Sequence, residues 1–111
     1  MLRFRLKPII WIDALRRRAE AEGAFVMIVQ KGDPDGGSVV IWVEDQLREI
    51  DLYTAQTQMD GTRIWRREKV TSPLAMKERI TRLQRMDEDM WLIEITDKQG
   101  RNFINEPILE E

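Results

Sequence analysis

The 111-residue sequence contains no cysteine and no histidine. Without cysteine there is no disulfide, no thiolate nucleophile and no zinc site built from cysteine and histidine ligands. Without histidine, the Ser-His-Asp and Cys-His catalytic arrangements are excluded, and so is the side chain that ordinarily titrates near neutral pH. We therefore expect a non-catalytic protein without a metal or cofactor. A Mg²⁺-dependent enzyme that uses carboxylates stays open as an alternative.

Long hydrophobic runs are also absent. No apolar stretch approaches the roughly 20 residues that span a bilayer, and residues 1–7 alternate charged and apolar side chains, unlike a signal peptide. Hydrophobic residues make up 42% of the sequence and charged residues 34%, which is typical of one soluble globular domain. We expect a single domain over residues 1–111, located in the cytoplasm, with no membrane partner.

Charge is plentiful but segregated along the chain. The net charge is only -2, yet residues 1–18 sum to +5, 19–60 to -7, 61–85 to +6 and 86–111 to -6. Such blocks create local fields without a large total charge. The pattern predicts binding to a protein partner or self-association.

The spacing of apolar residues predicts two helices. The first covers residues 8–22, with Pro8 in its first turn and Gly23 as its left-handed cap. The second begins at Ser72-Pro73 and ends at the acidic residues 87–89. Their core stripes are predicted at 3–4 spacing: Trp11, Ile12, Leu15 and Ala19 in the first helix, and Met76, Ile80 and Leu83 in the second.

Six strands are predicted at residues 24–30, 39–43, 49–55, 62–69, 90–95 and 101–104. The first two are continuously apolar, so we expect both of their faces to be covered. The fourth is so polar that we expect it at a sheet edge. Trp11, Trp42 and Trp91 lie on core stripes or apolar strands and are predicted to be core residues.

Together these elements predict an α+β fold in the order α-β-β-β-β-α-β-β. Short loops favour a mainly antiparallel sheet of five to six strands built from hairpins, with one crossover that returns strand five beside strand one. We expect two helices packed on the sheet, one on each face. The alternative has both helices on one face and a second protomer on the other.

The loop between the first two strands is the first candidate site. Gly32, Asp33, Asp35, Gly36 and Gly37 suggest a phosphate loop or a cation site. The spacing matches neither a Walker loop nor a complete calcium loop. Acidic residues 87–89 are a second, equally weak cation candidate. We interpret the loop as a flexible hairpin connection and expect no metal.

The fourth strand carries the clearest binding signal. Arg63, Trp65, Arg67 and Lys69 alternate onto one side of it, and an aromatic beside cations is how proteins hold single-stranded nucleic acid. Arg82 and Arg85 of the second helix extend this basic set. The pI of about 5.3 is acidic for a nucleic-acid-binding domain. We therefore predict an interaction module that docks through this surface, on a protein partner or as a homodimer, with nucleic-acid or phosphate-ligand binding as the alternative.

Several local patterns resemble a known family. They are Trp11 with the 16–18 arginines, Gly23-Ala24-Phe25, the 31–37 loop, Asp60-Gly61 with Trp65, residues 87–91, and the closing pattern from Asp97 to Pro107. On these residues the chain resembles an alphaproteobacterial family of unknown function, domain of unknown function 1491. The resemblance covers nearly the whole chain and implies a bacterial, cytoplasmic protein. It implies no activity, cofactor or catalytic residue.

Overall fold

The structure, a computed structural model, describes residues 7–109. The alternating segment at residues 1–6 lies outside them. Within the described range the order of elements is the predicted one: α1 (Pro8–Ala21), β1 (Phe25–Gln30), β2 (Val39–Glu44), β3 (Ile50–Thr57), β4 (Arg63–Val70), α2 (Pro73–Met86), β5 (Trp91–Thr96) and β6 (Ile108–Leu109).

Both helices begin and end where local sequence signals place them. Pro8 opens α1, and Gly23, with φ of +88°, follows its end in the left-handed region that favours glycine. The side chain of Ser72 caps α2 by accepting a hydrogen bond from the Ala75 N–H at 3.0 Å. Neither helix is long and apolar enough to cross a membrane.

The six strands form one mixed sheet in the order β1-β5-β2-β3-β4-β6. Strand β5 lies beside β1, as expected from the crossover, and is antiparallel to β1 and parallel to β2. The expectation that β1 and β2 form a hairpin is wrong, because β5 separates them. The loop over residues 31–38 instead passes across the beginning of β5. Strands β2, β3 and β4 are successive antiparallel neighbours.

The two helices pack on opposite faces of the sheet, which confirms the first of the two predicted arrangements. Side chains alternate between faces along each strand, so the apolar strands supply two cores. The α1 face holds the larger core: Trp11, Ile12, Leu15, Ala19, Ala24, Val26, Val39, Ile41, Val43, Tyr53, Trp65, Trp91, Ile93 and Ile95. The α2 face holds the smaller one: Val40, Leu52, Val70, Met76, Met90 and Leu92.

The chain after β5 does not form the predicted return strand at residues 101–104. Phe103 adopts φ of +59°, which breaks the extended conformation, and the segment crosses the α1 face of the sheet. The guanidinium of Arg18 donates to the Phe103 carbonyl at 2.9 Å, and the Asn102 amide donates to the Tyr53 hydroxyl at 3.3 Å. The segment ends as β6, which pairs in parallel with β4 at the far edge.

The two outer positions of the sheet therefore differ from the expected ones. Strand β4, predicted at an edge, is partly covered by β6 and the segment before it. Strand β1, predicted as a buried strand, is an edge strand that pairs on one side only within residues 7–109. The central position between β1 and β2 goes to β5, whose residues Trp91, Leu92, Ile93 and Ile95 are all buried.

Candidate functional site

The predicted Arg/Trp surface on β4 is an internal cluster. Trp65 is fully buried, and its ring stacks on that of Trp11 with 5.3 Å between ring centroids. The Trp65 indole N–H donates to Glu106 at 2.7 Å, and Arg63 pairs with the other carboxylate oxygen at 3.0 Å. The Arg63 guanidinium also lies 4.9 Å from the Trp11 ring centroid. Trp65 therefore has no ring face available for stacking on a ligand.

The remaining predicted basic residues do not form one surface with Arg63. Arg67 and Lys69 are exposed further along the α1 face of β4, where Lys69 lies 3.7 Å from Glu49. Arg82 and Arg85 are exposed on α2, which packs on the opposite face. The sheet thus lies between the β4 cations and the α2 cations, which were predicted to share one basic surface.

Two of the three glycines in the 31–38 loop, Gly32 and Gly37, are required by close packing. A Cβ on Gly37 would lie 1.8 Å from the Asp89 carbonyl oxygen, and one on Gly32 would lie 2.2 Å from the same atom. The Asp33 N–H donates to that oxygen at 2.9 Å, and the Asp33 carbonyl accepts from the Trp91 indole at 2.8 Å. The loop is therefore held against the α2–β5 turn and is not the predicted hairpin connection.

The acidic residues near this loop are also engaged in structure. The Ser38 hydroxyl donates to Asp87 at 2.6 Å and the Ser38 N–H at 3.0 Å, and these bonds lower the pKa of the Asp87 carboxyl. Asp35 pairs with Lys7 at 3.0 Å. Over residues 7–109 no three carboxylates lie close enough to hold a metal ion.

The open sheet edge at β1 is the most prominent exposed surface, and it is not predicted by the sequence. Four of its six side chains are exposed apolar groups, namely Phe25 (60%), Met27 (44%), Val29 (44%) and Ile28 (37%). The apolar run of this segment predicts a buried strand, whereas the structure places it at a sheet edge. In the described part of the chain β1 pairs only with β5. Its outer backbone groups therefore have no strand partner, and such an edge is a template for pairing with another chain.

A half-covered patch lies next to this edge on the α2 face. Met27 is opposite Glu94 in the β1–β5 register, and Glu94 is opposite Trp42 in the β5–β2 register. Glu44 follows on the same face of β2. Burial, together with the charge of Glu44, raises the pKa of the Glu94 carboxyl. Trp42, predicted as core, is only half-buried, and its indole N–H lacks an acceptor among the described residues.

Arg101 closes the end of β5 onto α1 instead of adding to a binding surface. It donates to both carboxylate oxygens of Asp97, at 2.9 and 3.0 Å, and to the Glu22 carbonyl at 3.1 Å. The hydrogen bonds from Arg101 lower the pKa of the Asp97 carboxyl, whose side chain is 2% exposed. This clamp fixes the turn that leads into β1.

Comparison with known proteins identifies the family. The model of a family described as "Protein of unknown function (DUF1491)" matches residues 6–105, whereas no curated protein matches the chain. The crystal structure of a DUF1491 family protein from Caulobacter crescentus CB15 is 36% identical, with a TM-score of 0.83, and the match covers 95% of this chain and 100% of that one. An NMR structure of a DUF1491 family protein from the same organism is 34% identical, with a TM-score of 0.86 and coverage of 97% and 100%.

A more distant relative shares the fold. The solution structure of Atu0922 from A. tumefaciens is 21% identical, with a TM-score of 0.80, and the match covers 97% of this chain and 99% of that one. The family model and the two similar Caulobacter structures agree with the resemblance noted in the sequence. The chain therefore belongs to the DUF1491 family of proteins of unknown function.

Proposed function

We propose that this chain is a non-catalytic protein-interaction module that assembles as a two-fold dimer through its open β1 edge. The exposed apolar side chains of β1 are the observation that carries the proposal. The lack of histidine and cysteine supports the non-catalytic part. The docking surface lies at β1 and not at β4 as expected from the sequence, because Trp65 of β4 is fully buried.

The β1 edge is suited to a second copy because its apolar pattern is self-complementary. Antiparallel strands related by a two-fold axis perpendicular to the sheet pair residues of the same face. An axis at Val26 places Phe25 of each copy beside Met27 of the other, on the α2 face. The same axis places Ile28 beside Ala24 on the α1 face. This pairing uses residues that precede the register irregularity between Ile28 and Gln30.

The free energy of dimer formation comes from burying apolar surface that faces water in the single chain. Phe25 and Met27 retain about half of their exposure in the single chain, and complete burial of such a side chain contributes about 1.5–3 kcal/mol. Each copy contributes both side chains to the proposed contact, and sulfur–aromatic contacts between them add to the burial term. Because the contact is apolar, it should persist at high salt. Association between basic and acidic blocks would instead weaken there.

The test is the molar mass in solution, measured by light scattering across a concentration series at low and high salt. We expect a dimer for the unmodified chain in both. Met27→Lys removes two buried thioether chains and brings two ammonium groups close to the axis, so its dissociation constant should rise at least tenfold. Met59→Lys is the matched control, because Met59 is fully exposed in the loop between β3 and β4, and it should remain a dimer.

Two outcomes would contradict this proposal. One is a monomer at every concentration in the unmodified chain. The other is a dimer that Met27→Lys leaves intact while circular dichroism shows a folded protein. Hydrogen exchange gives an independent reading in the unmodified chain, since the outward-facing β1 amides should be protected only if a strand pairs with them.

A further inference from the structure

The α2 face of the sheet is only partly covered by its helix. Helix α2 starts beside the end of β4, where Met76 packs with Val70, and its last turns lie near Met90 and Leu92. In the part of the chain that the structure describes, α2 does not cover the opposite corner, which is formed by the beginning of β1 and the end of β5. Phe25 and Met27 are exposed there.

The floor of this corner carries two carboxylates without a cation. Glu44 and Glu94 lie on adjacent parallel strands, two positions apart in register, and both are half-buried. Among residues 7–109 neither has an ion pair. Two like charges on a half-buried surface repel each other, and burial together with the charge of Glu44 raises the pKa of the Glu94 carboxyl. A guanidinium or ammonium group placed between them would remove that repulsion.

The side chains around the two carboxylates indicate which class of ligand fits this corner. Phe25 and Met27 form an apolar rim on one side, and Trp42 lies between Glu94 and β3 on the other. A small hydrated cation would leave this rim exposed to water. A protein segment with Arg or Lys flanked by apolar residues would cover the rim and neutralise the floor together.

We propose that this corner, with Glu44, Glu94 and Trp42 as its floor and Phe25 and Met27 as its rim, is the docking surface for a basic, partly apolar segment of a partner protein. One Arg or Lys side chain of the segment lies between the two carboxylates. The floor residues lie on β2 and β5 and take no part in the proposed β1 contact. The rim residues Phe25 and Met27 do take part in it, so the partner segment and a second copy of the chain compete for the rim.

The experiment titrates the full chain with a ten-residue peptide in which Arg and Val alternate, followed by NMR at low salt. We expect resonance shifts at Glu44, Glu94 and the Trp42 indole. Glu44→Gln/Glu94→Gln should weaken binding at least tenfold. This variant should fold, because it removes a repulsion. The control Glu78→Gln/Glu88→Gln changes the net charge equally at exposed positions and should bind within twofold of the unmodified chain.

Three results would overturn the inference. The first is equal weakening by both double variants, which would show attraction to net charge only. The second is equally tight binding of an Arg-Gly peptide of the same charge, which would show that the apolar rim contributes nothing. The third is displacement of the peptide by Mg²⁺ with the same resonance shifts, which would identify a cation site. The mass of Glu44→Gln/Glu94→Gln is measured in parallel, and an unchanged mass keeps this result separate from the β1 dimer.

Discussion

Replacing Glu106 by Ala should destabilise the protein more than any other change of an acidic residue that is not buried. Its carboxylate accepts from the Trp65 indole at 2.7 Å and from Arg63 at 3.0 Å, and the Arg63 side chain is only 11% exposed. A hydrogen bond to a charged group contributes about 1.5–3 kcal/mol. Leaving a nearly buried guanidinium without its partner adds a further penalty. Since Arg63 keeps its contact with the Trp11 ring, we expect a total loss of about 2–4 kcal/mol.

The loss is measured by urea unfolding, followed by tryptophan fluorescence and circular dichroism. Glu106→Gln retains an oxygen acceptor for Trp65 but loses the charge that faces Arg63, so its loss should be about half as large. Glu88→Ala serves as the control because Glu88 is exposed, and it should change stability by less than about 0.5 kcal/mol. If Glu106→Ala is as stable as Glu88→Ala, the Arg63–Trp65 cluster is not a structural element of this fold.

Three further perturbations follow from the same contacts. Trp91→Phe should cost about 1–3 kcal/mol in urea unfolding because it removes a buried indole bond, whereas Trp42→Phe should be nearly neutral because that indole N–H has no acceptor among the described residues. Gly37→Ala should lower the free energy of unfolding by about 2–4 kcal/mol, since the new Cβ would lie 1.8 Å from a backbone oxygen. Gly36→Ala is the control and should be tolerated, because the nearest atom to a Cβ there is 4.0 Å away. The pKa of Asp97 is lowered by hydrogen bonds from the arginine four residues on. The ionised carboxylate therefore stabilises the folded protein above the ordinary pKa of about 3.9, and this contribution is lost as pH falls through the lowered value. Asp97→Asn should lower Tm at pH 7, and the difference in Tm from the unmodified chain should shrink below pH 4.

Local signals were sufficient to predict the helices. Pro8 and Ser72-Pro73 mark their starts, and the apolar residues of α1 recur at the spacing of one helical face, so all four of its predicted core residues are buried. These signals act between residues a few positions apart. Contacts with distant segments do not alter where these helices begin or which of their residues are apolar.

Strand order could not be read in the same way. An apolar run is consistent with a central strand and also with an edge strand that another molecule covers. Both β1 and β5 have such a run. Strands β1 and β5 compete for the position beside β2. Because β5 occupies it, β1 lies at the edge. The hairpin expected from the short loop failed for the same reason.

The candidate site on β4 shows a related limit. Alternation correctly placed Arg63 and Trp65 on one face, but it carried no information about what covers that face. Trp11 comes from the first helix and Glu106 from the end of the chain, 54 positions before and 41 positions after Trp65. Contacts at that separation leave no periodic signature in the sequence.

The sequence by itself determined the first seven elements and their order, the apolar faces of the two helices, and the chemistry that the chain lacks. These properties depend on residue types and on spacings of a few residues, which the backbone period converts directly into structure. Only the tertiary structure decided that Trp65 is buried, that the glycine loop is held against the α2–β5 turn, and that β1 and the carboxylates beside it remain open. Those outcomes depend on which distant segments pack together, and that is set by competition for buried positions across the whole sheet.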